Sequence, residues 1–157
     1  MGFDYSFRFA EDRRDILKLE RFILQQPLKY PHFGDWVYRA REDLLSGWKK
    51  SILAFSEDFL IGDLIFQPHK SLSGNLELKN MRVHRKLQGR YFGVFMLKQA
   101  EVEARGKYNG IICDTHSDNY PMINLLRFMG YDEIARAPLY NQNVEEIVMM
   151  KNLVKAA

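Results

Sequence analysis

Residues 76–103, LELKNMRVHRKLQGRYFGVFMLKQAEVE, read as a strand, a glycine-bearing turn and a helix in immediate succession. Leu76 and Leu78 share one face of the strand, but Met81 and Val83 join that face only if one residue is extra. An extra residue near Asn80 predicts a β-bulge, which frees a backbone group and re-aims the side chains after it. Gln88, Gly89, Arg90, Tyr91, Phe92 and Gly93 make the turn. Phe92, Phe95, Met96 and Ala100 then recur at helical spacing and predict a core-facing stripe. A tight turn feeding a helix N-terminus leaves backbone N–H groups unpaired at the positive end of the helix dipole. That is an anion site, best suited to phosphate.

Outside this stretch the chain is ordinary in composition. Its 157 residues are 46% apolar and 27% charged, with a net charge of +3. That length predicts one domain over 1–157 with a sizeable core. The mild charge tolerates a polyanionic ligand but falls short of the basic footprint of a dedicated nucleic-acid binder. One cysteine excludes an internal disulfide and suits a reducing compartment. No run is long and apolar enough to cross a membrane, and no signal-peptide core is visible, so a cytoplasmic location is expected.

Phe3, Tyr5, Phe7 and Phe9 alternate as a first strand, and Glu11 and Asp12 suit the start of a helix. Ile16, Leu19 and Ile23 give that helix its stripe, widened by Leu17 and Leu24, before Pro27 and Pro31 end it. A second helix is expected from about 35 to 45, stopping at Ser46 and Gly47. Strands at 52–55 and 59–66 follow, joined by a turn at Glu57 and Asp58. After the central helix, the apolar run 111–113 suits a buried strand, possible in a parallel pair. Asn119 is placed to cap a helix with Pro121 in its first turn. Met122, Leu125, Leu126 and Met129 form the helix stripe, and Gly130 is its stop. Strands at 131–135 and 145–150 are expected last, separated by a loop through Pro138 and residues 141–143. The order is β-α-α-β-β-β-α-β-α-β-β, an α/β domain on one mixed sheet.

Gln-x-x-Tyr-x-Gly from Gln88 to Gly93 resembles the pyrophosphate loop of the GNAT superfamily of acyl-CoA N-acyltransferases. The family pattern is Arg/Gln-x-x-Gly-x-Gly/Ala. Gln88, Gly89 and Gly93 fit, and Tyr91 replaces the first patterned glycine. Asn119-x-x-Met122-x-x-Leu125-Leu126-x-x-x-Gly130-Tyr131 resembles the family's Asn-x-x-Ala-x-x-Leu-Tyr-x-x-x-Gly-Phe segment. The order of elements is also the family's, so the resemblance spans essentially the whole chain. It implies a three-layer α/β (α+β) fold. The central sheet would be mixed and largely antiparallel, with six to seven strands flanked by four helices, a bulge, and a splay between its central strands.

The resemblance further implies acetyl-CoA as co-substrate. Met81 and Val83 would offer backbone groups to the pantetheine arm, the amides of Gln88, Gly89, Arg90, Tyr91, Phe92 and Gly93 would hold the pyrophosphate, and Asn119 would bond to the arm. A solvated turn residue at Arg90 and a plain N-cap at Asn119 are the competing readings. A glycine at position 91 would permit positive φ or close backbone approach, both costly for tyrosine. Tyr91 is tolerable there if the local conformation is helical, or if it points outward over the nucleotide.

Acetylating an amine needs a base for the ammonium and an acid for the departing thiolate. Glu77, eleven residues before Gln88, resembles the strand glutamate that serves as base in one branch of the family; a solvated glutamate on the strand is the alternative. Leu126 stands where the family usually has a tyrosine, and it belongs to the apolar stripe. Tyr120 and Tyr140 remain as candidate acids, with solvent as a substitute. His32, His69, His84 and His116 show no metal spacing, and Cys113 reads as core. Tyr30, His32, Phe33 and Trp36 lie where the family's substrate-facing helices meet, and either line an acceptor pocket or fill the core.

The function expected is N-acetyl transfer to a primary amine by direct attack in a ternary complex. A non-catalytic acyl-CoA-binding or protein-interaction module on the same fold is the alternative. The acceptor partner is an amine, with no membrane and no nucleic acid expected except an aminoacyl-tRNA. A homodimer through an exposed C-terminal strand is compatible with the pattern.

Overall fold

A computed structural model describes residues 4–153. Its elements are β1 (Tyr5–Phe9), α1 (Arg13–Leu24), α2 (Phe33–Ser46), β2 (Lys50–Ser56), β3 (Phe59–Pro68), β4 (Asn75–Val83), α3 (Phe92–Ala104), β5 (Gly110–His116), α4 (Tyr120–Phe128), β6 (Asp132–Asn141) and β7 (Val144–Asn152), with a short 3-10 turn at Arg85–Leu87. The strands form one seven-stranded sheet in the order β1-β2-β3-β4-β5-β7-β6. Only β4 and β5 run parallel among these neighbours. The expected three-layer mixed sheet is therefore what the chain forms.

Period-2 alternation gives the central strands β2 and β3 two buried faces. Ile52, Ala54, Leu64, Phe66, Leu76, Leu78, Ile111 and Cys113 pack with α3 and α4 residues such as Met96, Leu97, Ile123 and Leu126. Leu53, Phe55 and Ile65 point the other way and meet Ile16, Leu19, Phe22 and Ile23 of α1 and Val37 and Leu44 of α2. Asp12 caps α1 by accepting from the Asp15 N–H, and Gly47, with φ 84°, ends α2.

The bulge is present. Ile65 pairs with Asn80 and Phe66 with Leu78, which leaves Lys79 as the extra residue. Beyond it, the parallel ladder between β4 and β5 stops. Its last pair is Leu78 with Cys113, although β4 continues to Val83 and β5 to His116. The centre of the sheet is open from that point on.

Four expectations are corrected. Phe95 is 52% exposed and rests edge-on against Phe7 instead of joining the α3 stripe, whose buried members are Phe92, Met96, Leu97 and Ala100. Leu24 is exposed at the end of α1, while Ile23 beside it is the residue that packs into the core. On α4 the buried positions are Ile123 and Leu126, joined by Met129 at the C-cap, with Met122 and Leu125 only partly covered. The strand expected over 131–135 runs on to Asn141 through Pro138. β6 is an edge strand, where a proline costs no ladder bond, and its register with β7 lapses between Ala137 and Asn141. Phe3 lies outside the described residues.

Candidate active site

The opening between β4 and β5 has two sides. On the α3 side, the His84 N–H donates to Ile61 O at 2.7 Å across β3. Backbone direction alternates along a strand, so the polar groups of Arg82 also face β3 and those of Met81 and Val83 face the gap. Val83 O accepts from Gln88 Nε2 at 3.1 Å, which ties the turn back to the strand. The remaining groups of Met81 and Val83 have no strand partner on that side.

The turn then delivers a bare helix end. Gly89 takes φ 78°, and the first helical bond of α3 runs from the Phe95 N–H to Tyr91 O. α3 has neither a side-chain N-cap nor an acidic residue in its first turn, whereas α1 and α4 are capped by Asp12 and Asn119. Its leading amides and dipole are left to an external anion, with Arg85, Lys86 and Arg90 exposed nearby. Tyr91 does not sit in a right-handed helical conformation: its φ is 67°, in the left-handed region that glycine favours. Its side chain is 69% exposed, so the ring points outward. Gly93 is needed for a separate reason. A Cβ there would stand 2.9 Å from Leu125 Cδ2 and 3.5 Å from Met81 Cε, so the missing side chain lets α3 close on α4 and β4. Phe92 is buried, edge-on to Tyr5.

Asn119 caps α4, its side chain accepting from the Met122 N–H, and its Nδ2 donates to Thr115 Oγ1 at 3.1 Å. Leu126 is fully buried in the core. Tyr120 opens α4 with its side chain in solvent.

On the α1/α2 side of the gap stands Glu77. Gln67 Nε2 donates to its Oε1 at 2.9 Å, Lys79 Nζ lies 3.5 Å from the same oxygen, and His69 Nε2 lies 3.7 Å from Oε2. His69 Nδ1 accepts the N–H groups of Ser71 and Leu72, so the ring proton is on Nε2 and faces Glu77. The carboxylate is thus held on two sides at the point where the strands part. It is mostly covered, with 15% of its side chain accessible.

Register places further groups on this face. Glu77 pairs with Ile112, so Asp114 and His116 follow on the same side of β5, and Glu146 of β7 sits opposite His116. Asp114 accepts a hydrogen bond from Tyr140, and burial raises its carboxyl above the ordinary range, with Glu77 adding to the effect. Burial, then the Asp114 charge, holds the Tyr140 hydroxyl protonated well above the usual tyrosine range. His116 Nδ1 lies 3.3 Å from Glu146 Oε1. Burial, then the charges of Asp114 and Asp118, pushes Glu146 up to about 7. Tyr30, from the connection between α1 and α2, lies over His116 with ring centroids 4.5 Å apart and meets Tyr140 edge-on at 5.5 Å. Tyr30 therefore belongs to this face. Phe33 and Trp36 pack against the α1/α2 core instead, and His32 is exposed.

The sequence did not single out Asp114, Glu146 or Gln67. The only available signal was a charge at every second position after the apolar run of β5, which marks a strand face that turns from core to cleft. Among the described residues no three His, Cys, Asp or Glu side chains are grouped to hold a metal. Cys113 is buried, and burial pushes its thiol up to about 12, as a core cysteine requires.

A strand gap that offers backbone hydrogen bonds to an extended arm, ending at a bare helix N-terminus, belongs to the acyl-CoA-dependent acyltransferases. The chain is a member of the acetyltransferase (GNAT) family, whose sequence profile matches residues 12–131. Solved structures of similar fold include a GNAT-family chain from Desulfovibrio desulfuricans, at a TM-score of 0.83 and 16% identity, covering 96% of this chain and 100% of that one. The yncA protein from Salmonella typhimurium with its cofactor acetyl-CoA superposes at 0.78, with 17% identity over 98% of this chain and 96% of that one. The ribosomal-protein-S18-alanine N-acetyltransferase from Escherichia coli does so at 0.73, with 15% identity over 98% and 97%. No curated protein sequence matches the chain.

Proposed function

We propose that this enzyme transfers the acetyl group of acetyl-CoA to a primary amine by direct attack in a ternary complex, with Glu77 as general base. The observation that carries the proposal is the position of Glu77: it flanks the β4/β5 gap on the face opposite the turn that leads into α3. The pyrophosphate suits the amides of residues 88–93, and the pantetheine arm suits the gap-facing backbone of Met81 and Val83. The thioester would then lie where the strands part, close to the carboxylate.

The chemistry balances as follows. Glu77 takes a proton from the acceptor ammonium, directly or through a water, and the freed amine attacks the thioester carbonyl. The new C–N bond forms as the C–S bond breaks, and the sulfur leaves as a thiolate that takes up a proton. Strand and loop N–H groups are suited to the oxyanion of the transition state. Holding both reactants in one site supplies much of the acceleration. Leu126 has no proton to give. Tyr120 and Tyr140 are the side-chain donors to test against solvent, and the Tyr140 hydroxyl is the more firmly placed of the two.

Thermal unfolding with acetyl-CoA, CoA and ATP tests the first half. At a hundredfold excess over Kd, acetyl-CoA and CoA stabilise the fold by about 2.7 kcal/mol. For a chain of this size that is a rise of roughly 5–11 °C. ATP gives none. Thiol release with an amine panel tests the second half. Binding of CoA without turnover of any amine would leave the non-catalytic module in its place.

A further inference from the structure

The acceptor face carries more carboxyl groups than the reaction needs. One carboxylate suffices as base, yet Glu77, Asp114 and Glu146 form a diagonal row across β4, β5 and β7. Each step advances two residues along the strand and one strand sideways. With ~3.3 Å per residue and ~4.8 Å between strands, successive carboxylates stand about 8 Å apart. Extra carboxylates near the reacting nitrogen stabilise its ammonium form and so oppose attack. Their placement makes chemical sense if they hold a different positive charge.

The far end of the row points to a ligand on its own account. Glu146 is 1% exposed, and its Oε2 has no hydrogen-bond partner, while Oε1 faces His116. An unpartnered carboxylate oxygen buried in this way is costly unless a donor reaches it. The groups facing the row are Gln67, Lys79 and His69 at Glu77, the Tyr140 hydroxyl and the Lys79 charge at Asp114, and His116 with the Asp118 carboxylate at Glu146, with the Arg82 guanidinium near Tyr30. Among the described residues neither Asp114 nor Glu146 has a lysine or arginine within ion-pair distance, whereas Glu77 has Lys79. Tyr30 and Tyr140 wall the other end, and their ring faces attract a desolvated cation.

We infer that the acceptor is a linear amine carrying a second positive charge about one step from the nitrogen that reacts, and that Asp114 and Glu146 hold this second charge beneath Tyr30 and Tyr140. The inference rests on the acetyl transfer proposed above. It makes the site selective by charge at the far end of the acceptor, favouring a cation over a neutral group and a neutral group over an anion.

Three acceptors of equal length separate these cases: 1,5-diaminopentane, pentylamine and 5-aminopentanoate. The expected kcat/KM for the diamine exceeds that for pentylamine by about tenfold or more, as for other close charge pairs, with 5-aminopentanoate lowest. Glu146→Gln and Asp114→Asn each bring the diamine down toward pentylamine, mainly through KM. Equal rates for the three acceptors overturn the inference while leaving acetyl transfer standing. If none is turned over, the stabilisation of the CoA-bound protein by each amine decides. A midpoint shift specific to the diamine and lost in Glu146→Gln upholds the second-charge site although the transfer fails, and equal shifts overturn it. Should Glu146→Gln not fold, Asp114→Asn serves as the test on the same readouts.

Discussion

The two faces of the sheet beside the β4/β5 gap are built on opposite principles. The α3 face uses a contiguous segment, residues 81–93, and presents mainly backbone: strand groups at Met81 and Val83, a positive φ at Gly89, and the bare amides of α3. The α1/α2 face presents side chains gathered from Tyr30 to Glu146, contributed by a loop and four or more strands. Backbone recognition depends on conformation and tolerates a change of side chain if the path of the chain survives, which is how Tyr91 stands in a glycine's place. Side-chain recognition depends on identity, and each group must arrive from its own element.

Substitutions sharpen this contrast by acting on one face only. The largest effect is expected for Glu77→Gln, which should lower kcat by about 10²–10⁴ as for loss of a general base. The CoA-induced rise in melting midpoint should remain. Loss of that rise would mean that the faces are not separable.

Next is the foundation of the α1/α2 face. Asp63 is fully buried and accepts from Asn80 Nδ2 at 2.7 Å, just past the bulge, and burial pushes its carboxyl up to about 7. The folded state therefore holds this proton more tightly than the unfolded chain does. Stability from this group is full below the ordinary aspartate range, near 3.8, and is lost as pH rises through about 7. Urea unfolding of the wild type should show a decline of a few kcal/mol across that window. Asp63→Asn keeps an acceptor for Asn80 and should flatten the profile, ending more stable than wild type at pH 8. A wild-type profile without the decline would place an ionised carboxylate at 63 at no cost.

On the opposite face, Gly93→Ala pushes a Cβ against Leu125 and should destabilise by about 1–3 kcal/mol through overpacking. It should also weaken the CoA-induced stabilisation, because Leu125 must turn aside next to the start of α3. An unchanged ligand response with reduced stability would detach packing from binding. The smallest effect is expected at Tyr91→Gly. Relief of the left-handed conformation, offset by glycine's greater freedom when unfolded, should raise stability by about 0.5–1 kcal/mol. A loss of stability in the same melt would show that the tyrosine ring makes contacts worth more than its strain.

Much of the α3 face was legible from the sequence because its information is local. The parity break between Leu78 and Met81 located the bulge to within one residue of Lys79, and Gln88 to Gly93 located the turn before α3. Leu126 read as core from its place in an apolar stripe, and it is core. Glu77 stood out because its distance from the turn resembles that of the strand glutamate in one branch of the family, and the structure sets it beside the gap. The misreadings arose where a side chain's surroundings depend on distant elements. Phe95 follows the helical period yet meets only Phe7, at the edge of the sheet. At position 91 the family's glycine pointed to a positive φ, but the tyrosine left a helical conformation open, and the structure decides for φ 67°.

By itself the sequence determined the order of elements, the bulged central strand and the turn that leads into α3, because alternation, glycine placement and helical period act over a few residues and need no partner. Only the tertiary structure decided that Tyr30, Asp114, Tyr140 and Glu146 share one face with Glu77. That juxtaposition depends on β7 lying between β5 and β6 and on the α1–α2 connection crossing over them. Residues separated by more than a hundred positions become neighbours through strand order, which leaves no local period to read.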